Sequence, residues 1–540
     1  MENMKSSDLM VKCLENEDVE YIFGLPGEEN IELMESLSNS KKIKFITTRH
    51  EQGAAFMADV YGRIKHKPGV CLATLGPGAL NLATGVASAN LDHSPLVAIT
   101  GQADFSEIHH EQHQYIDVVR TFKPITKWNT RVSSADSVPE IVRKAFRISS
   151  TEKYGATHIE LPDDIAGQET MASPMKIVNI PQTLAKQEDI DKASEIINKA
   201  KYPAILCGNG IVRTQQTEEL VEFAEKANIP VAKTFMSKGT IPGNHALSFG
   251  TIGLQTSDCI LEEFKKADLI IAVGYDLVEY SPVFWNPDRD KKIIRIGSIP
   301  EEYVDSYYGF EVELIGDMGQ TLRKLGSKVK KRESRNLDHL KRGVKKEREQ
   351  FTPTFPIKPQ HVLKALREAM NDDDILVSDV GSHKIWISRL FPTYKPNKVI
   401  ISNGLASMGI ALPGAIGAKL AMPEANVFSA NGDGGFLMNV QELETAKRLG
   451  IGLVTVIFND NSYGMIEWKQ RSKEKHVFGV KLGNPDFVKL AQSFGAKGYK
   501  IERASEVEEI VKNAAKSGEL AVIEIPVDYS ENQKIGMCER

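Results

Sequence analysis

Ala430-Asn431-Gly432-Asp433-Gly434-Gly435-Phe436 stands directly behind an apolar run, residues 425–429. Asp460 follows 27 residues after Asp433, within Phe458-Asn459-Asp460-Asn461 and behind a second apolar run, residues 453–458. Short apolar runs bounded by glycine and small polar residues read as buried strands of a parallel sheet. In an open parallel sheet, ligands bind beyond the carboxyl ends of the strands. Two carboxylates arriving there suit a hard cation such as Mg²⁺, which takes oxygen ligands and shares them with phosphate oxygens. The glycines let backbone N–H groups close on a diphosphate. A Gly-Asp-Gly tripeptide alone is more often a plain turn; the spacing, the strand context and the second acid carry the reading.

The same strand–helix rhythm runs outward through the chain. Residues 19–24, 43–47, 70–74 and 96–100 read as strands, residues 51–63 have helical spacing, and Gly76-Pro77-Gly78 opens a helix of small residues. Residues 172–189 contain two prolines and read as a linker. A second unit follows, with strands at 204–207, 269–273 and 293–296, the first two running into Gly208-Asn209-Gly210 and Gly274. Residues 327–350 are dense in Lys and Arg, but interspersed Glu and Asp favour a solvated helix and linker over a nucleic-acid surface. Three prolines in 351–359 end that connection, and residues 375–378 and 521–525 complete a third set of strands. Alternating strands and helices predict an α/β protein of three doubly wound parallel-sheet domains, at 1–172, 187–328 and 356–540. No sequence repeat is visible among them.

Composition excludes several classes. The chain has 540 residues, 41% hydrophobic and 26% charged, with a net charge of −5. That is ordinary globular usage with a core large enough to need no staples, and no general basic surface for nucleic acid or anionic membrane. The five cysteines are dispersed, without a CxxC or Cys/His cluster, which argues against a disulfide framework or a zinc site and fits a cytoplasmic location. The first residues read as an amphipathic helix running into a strand rather than a signal peptide, and no run of about 18 apolar residues predicts a membrane span.

Gly432-Asp433-Gly434 with a downstream Asn-Asp pair resembles the fingerprint of thiamine diphosphate-dependent enzymes. The resemblance covers nearly the whole chain. It includes Phe23-Gly24-Leu25-Pro26-Gly27, Thr48-Arg49-His50-Glu51-Gln52-Gly53, Asp379-Val380-Gly381-Ser382-His383, Gly404-Leu405-Ala406-Ser407-Met408-Gly409 and Leu412-Pro413-Gly414. By that likeness the three domains are pyrimidine-binding, central and diphosphate-binding. Asp433, Asp460 and the Ser462 carbonyl would hold Mg²⁺. Pro26, Gly27, Glu51, Gly404 and Met408 would line the aminopyrimidine side of the cofactor. Gly381, Ser382, His383, Gly432, Gly434, Gly435, Tyr463, Gly464 and Met465 would line the diphosphate side. Glu51 would be the activating acid, its pKa raised by an apolar site. On its own, Glu51 reads equally as a helix N-terminal acid favoured by the dipole, and Met408 as packing.

Within the family the chain is similar to acetolactate synthase large subunits, and several stretches look like the catabolic, flavin-free group. Gly274-Tyr275-Asp276-Leu277-Val278-Glu279-Tyr280 stands where flavin-binding members carry a different segment, which argues against FAD. Glu51 argues against glyoxylate carboligase, which lacks that acid. Gln114, beside His113, matches a catalytic, substrate-side glutamine. Ala406 and Lys469 depart from the glutamines of the catabolic group, and Trp468 lies one residue before the position of a tryptophan in flavin-dependent members. If Lys469 faces the acceptor site, its cation would hold the carboxylate of a second oxo acid; if it faces solvent, Trp468 shapes the acceptor site instead. The segment 468–478 reads either as a cover over the site or as a solvated helix.

The resemblance implies decarboxylating condensation of two pyruvates to 2-acetolactate and CO₂ through a hydroxyethyl enamine, in a homodimer or homotetramer whose cofactor bridges subunits. A 2-oxo-acid decarboxylase or other carboligase, a flavin-dependent oxidase of the pyruvate oxidase type and a non-catalytic binding subunit remain alternatives. The acceptor oxo acid and any regulatory subunit stay open.

Overall fold

The computed structural model describes residues 3–254, 258–304, 306–333 and 335–537. Three six-stranded parallel sheets carry the chain, which is the architecture the alternating pattern predicts. The first contains β1 (Tyr21–Gly24), β2 (Lys44–Thr47), β3 (Gly69–Ala73), β4 (Leu96–Gln102), β5 (Trp128–Arg131) and β6 (Ala156–Pro162), in the order 2-1-3-4-6-5. The second contains β7 (Pro203–Cys207), β8 (Val231–Lys233), β9 (Ser248–Thr251), β10 (Leu269–Val273), β11 (Lys292–Gly297) and β12 (Val312–Ile315), in the order 9-8-7-10-11-12. The third contains β13 (Ile375–Ser378), β14 (Val399–Ile401), β15 (Val427–Gly432), β16 (Val454–Asn459), β17 (Lys497–Lys500) and β18 (Ala521–Pro526), in the order 14-13-15-16-18-17.

The continuous apolar runs are explained by burial on both faces. In β7 and β10, Ile205, Cys207, Leu269, Ile271 and Val273 belong to one buried cluster, while Ala204, Leu206, Ile270 and Ala272 belong to the opposite one. A strand covered on both sides has no polar face to alternate with. Residues 171–186 contain no regular element, and the Lys/Arg-dense stretch forms the helix Asp338–Glu349, in which only Leu340 is buried.

Two compact units emerge from the packing. One is Met1–Ile180 with Gly404–Glu424 and Leu437–Ile451; the other is Pro181–Asn403 with Ala425–Phe436 and Gly452–Arg540. Within the first, the helices Glu51–Lys65 and Ala411–Ala421 pack backbone to backbone, because a Cβ on Gly417 would land on the Met57 carbonyl. Arg63 ties this helix layer down. Its guanidinium bonds to Asp59 at 2.7 Å and to Asp92 at 2.6 Å, and both carboxylates are fully buried. Asp92 also accepts the N–H of Gly404 at 2.5 Å.

Cys13, Cys71 and Cys207 are free and buried. Cys259 is disulfide-bonded, a cross-link that the dispersed cysteines did not foretell. Distance along the chain is a poor guide here: the Cys259 N–H reaches the Gly536 carbonyl at 3.0 Å. Among the described residues no helix is long and apolar enough to cross a membrane.

Replacing Arg63 with Leu leaves two buried carboxylates without their cation. Breaking such a group costs about 3–5 kcal/mol, to be read by urea unfolding. Burial already pushes the Asp59 carboxyl up, so protonation relieves the variant in acid. The loss is expected to be smaller at pH 5 than at pH 8.

Candidate functional site

Strand register brings the site of the third sheet together. Ser378 pairs with Ala430, and Gly432 pairs with Phe458, so β13, β15 and β16 end nearly level. The order 14-13-15 reverses direction at the β13/β15 pair, the switch point where ligands enter such sheets. Asp379 and Asp433 follow directly on these two strands, and Asp460 follows on β16.

Asp433 is buried and opens the short helix Asp433–Met438. Burial pushes its carboxyl up, partly offset by the Asn484 amide, which donates to Oδ2 at 2.7 Å. Asp460 is pushed up to about 7, first by burial and then by the charge of Asp433. Two neighbouring carboxylates at a strand edge, each resisting ionisation, form a donor set that a hard cation would stabilise. Gly464 allows the crowding, since a Cβ there would land on Asp460 Oδ2. Gly435 does the same for Asp379, at 2.7 Å from Oδ2.

A cavity of about 290 Å³ opens beside them, lined by Asp460, Ser462, Gly464, Trp468, Tyr529 and Asn532, among others. Several buried polar atoms near the ends of these strands are unsatisfied, one of them, on Tyr529, at the cavity itself. His383 is buried, its ring stacked on Phe458, and burial lowers its pKa to about 3, so it is neutral. Among the described residues its Nε2 has no hydrogen-bond partner, and neither have Asn431 Oδ1, Asn484 Oδ1 and the Tyr529 hydroxyl. Buried polar atoms left open in this way need a bound group. With the acid pair, they fit a diphosphate held by a divalent cation.

The remaining expected residues take definite places. Gly381 caps and Ser382 opens the helix Ser382–Leu390, and Ser382 Oγ accepts from Asn532 at 3.3 Å. Ser462 Oγ donates to Glu467 at 2.8 Å, while Tyr463 donates its N–H to the Val480 carbonyl at 2.8 Å. Met465 is half-buried at the start of the helix Gly464–Ser472. Lys469 is exposed and Trp468 lines the cavity. No residue of that helix is buried, and Phe478 is 79% exposed.

The first unit holds the other group. Glu51 is 8% exposed at the first position of the helix Glu51–Lys65, and the Asn81 amide donates to its Oε2 at 3.0 Å. His50 caps the helix, its Nδ1 accepting from the Gln52 N–H at 3.1 Å. Pro26 is exposed after β1, and Gly27 donates to Asn30 Oδ1 at 2.9 Å. His113 and Gln114 have exposed side chains, with Gln114 at φ +56° and its carbonyl pressed against Gly76. Gly404, Ala406 and Met408 are all half-buried, and Ala406 stands at φ +53°. A non-glycine residue there costs of order 1 kcal/mol or more and marks a position held by its surroundings.

Sequence reasoning missed Glu442 and Asn484. Glu442 is fully buried and accepts the N–H groups of Arg49 (3.1 Å) and His50 (3.0 Å), so it fixes the turn that presents Glu51. Burial pushes it up to about 7. The available signal was a carboxylate within the apolar spacing Phe436, Val440, Leu443.

Three family models match the chain. They are the thiamine pyrophosphate enzyme N-terminal TPP binding domain at residues 4–121, the central domain at 190–325 and the C-terminal TPP binding domain at 379–525. Full-length relatives agree. An acetolactate synthase of Bacillus subtilis (strain 168) is 36% identical, covering 98% of this chain and 94% of its own length. A probable acetolactate synthase large subunit of Methanocaldococcus jannaschii is 36% identical over 98% and 93%. A catabolic acetolactate synthase of Raoultella terrigena is 35% identical over 97% and 95%.

Replacing Asp460 with Asn is expected to raise the thermal midpoint of the cation-free protein. The Asp460 carboxyl is raised on folding, so the folded state binds more protons than the unfolded one between about pH 4 and 7. Its contribution therefore falls as pH rises through that window. Scanning calorimetry in chelator should show the variant's advantage growing from pH 5 to pH 8; equal midpoints throughout would contradict the assigned repulsion.

Proposed function

The chain belongs to the thiamine pyrophosphate enzyme family, and from that premise we propose that it is an acetolactate-forming enzyme acting on pyruvate. The observation that carries the reading is Glu51, a buried carboxyl held at a helix start by Asn81 on one side and by the Glu442-bound turn behind it.

In this reading Asp433, Asp460 and the Ser462 carbonyl would hold Mg²⁺ against the diphosphate. His383, the glycines 381, 432, 434, 435 and 464, and Ser382, Tyr463 and Met465 would line that end. Pro26, Gly27, Gly404 and Met408 would line the aminopyrimidine. When bound, thiamine diphosphate supplies the electron sink for breaking the carbon–carbon bond of a 2-oxo acid. Glu51 holds a proton at N1′ of the aminopyrimidine, a task that suits a carboxyl taken out of water. Neutral His383 offers an uncharged nitrogen where a cation would compete with Mg²⁺. Trp468, on the wall of the cavity beside Asp460, would face the second oxo acid. His113 and Gln114, from an exposed loop, would meet substrate. A homodimer is the minimum unit, and a tetramer is compatible.

The central sheet supports a flavin-free protein. Its order is that of dinucleotide-binding folds, with the switch point between β7 and β10. The glycine turn there, at Gly208, is covered: a Cβ on Gly208 would meet Glu279 Oε1 at 2.5 Å. Glu279 accepts the Asn209 N–H at 2.8 Å, and Asp276 pairs with Arg213 at 2.7 Å. A carboxylate at that turn disfavours a pyrophosphate there. The purified protein is expected to show no flavin absorption.

Product analysis with thiamine diphosphate, Mg²⁺ and pyruvate tests the reading, with Glu51→Gln alongside. Acetolactate is expected, with kcat reduced about 100-fold or more in the variant. Acetaldehyde as the sole product would replace the proposal with a decarboxylase, and oxygen uptake with an oxidase.

A further inference from the structure

A second cavity, of about 260 Å³, lies in the unit that holds the second and third sheets. Its walls come from the edge strand β9, the helix Asp338–Glu349 and the end of the helix Ser382–Leu390 with the loop behind it. Six cationic side chains line it, namely Lys233, Lys238, Lys341, Lys345, Arg348 and Arg389, and no carboxylate does. In a chain with 72 acidic and 67 basic residues, that separation of sign needs a cause.

The innermost three are buried: Lys233 is 4% exposed, Lys238 5% and Arg389 3%. Arg389 has compensation, with Asp258 at 3.5 Å and Glu347 at 3.9 Å. The two lysines have none. Lys233 donates to Ser248 Oγ at 2.7 Å and Lys238 to the Ser388 carbonyl at 3.0 Å, and among the described residues neither forms an ion pair. Burying a charge without a counter-charge is expensive. Burial pushes Lys233 down to about 8; it pushes Lys238 down to about 7, with Lys233 and Arg389 adding to the effect. Packing does not require this arrangement, since two methionines would fill the same space at no electrostatic cost.

Charge and shape define the complement. Two uncompensated cations match a dianion, and a phosphate monoester carries about −1.5 to −2 near neutral pH. The cavity also has apolar lining, from Phe249, Leu340, Val344 and Phe391. We propose that this cavity binds a small phosphate monoester, its phosphoryl group between Lys233 and Lys238 and its organic part against Phe249, Leu340 and Val344. The site is separate from the acid pair and from the cavity at Trp468, so its failure would leave the proposed function untouched.

The test uses the protein saturated with thiamine diphosphate and Mg²⁺, so that the cofactor site is filled, with phenyl phosphate as the probe. Titration calorimetry should show saturable binding, at least tenfold weaker in Lys238→Met and in Lys233→Met. Inorganic phosphate should bind more weakly than phenyl phosphate, because it leaves the apolar lining unused. Phosphate also stabilises proteins generally by exclusion from their surfaces. The diagnostic thermal shift is therefore the one present in the wild type and absent in Lys238→Met. In phosphate-free buffer, Lys238→Met should itself raise the midpoint by removing an unpaired charge. No saturable heat with the wild type would overturn the proposal. So would equal shifts in wild type and variant, or a lowered midpoint in Lys238→Met, which would make that lysine a structural donor to Ser388.

Discussion

Two like charges placed side by side, Asp433 and Asp460, are the constraint around which the third sheet is organised. Left alone they destabilise the fold, and each resists ionisation. Everything that keeps them close serves the same end. The level strand ends deliver them, Asn484 braces one, and Gly464 removes the side chain that would push the other away. A protein tolerates such repulsion where a ligand relieves it. The open polar atoms of His383, Asn431 and Tyr529 are the same debt in hydrogen-bond form.

The first unit treats its buried acids differently. Asp59 and Asp92 are answered by Arg63, and Glu442 by two backbone N–H groups and the Thr445 hydroxyl. Glu51 is the acid among them that meets a single neutral donor, Asn81. Glu442, by contrast, is held by the Arg49 and His50 N–H groups and the Thr445 hydroxyl together. The helix that begins at Glu51 thus carries one carboxylate, Asp59, locked in an ion pair and one, Glu51, held by an amide.

Much of this was legible in the sequence because the central strands are continuous apolar runs ending in glycine. The acids at 433 and 460 could be placed at the carboxyl ends of central strands without coordinates. Strands such as β5 (Trp128–Arg131) and β17 (Lys497–Lys500) were not visible, because they are polar strands at sheet edges and only partly buried. Glu442 was hidden for another reason: its partners lie 392 and 393 residues earlier. Which of Trp468 and Lys469 lines the cavity depends on helix phase, and spacing alone did not show that Trp468 does and that Lys469 is exposed. The cross-link at Cys259 needed contacts that spacing alone does not report.

The first and third sheets share one strand order, relative to their own numbering, while the second has another. Side chains change one at a time, but strand order changes only when connections are rewired, so wiring outlasts sequence. Two sheets of one chain thus share a wiring that no sequence repeat announces. The first is followed by Glu51 at the start of a helix, the third by Asp433 and Asp460 at its strand ends, so the same connections frame quite different side chains.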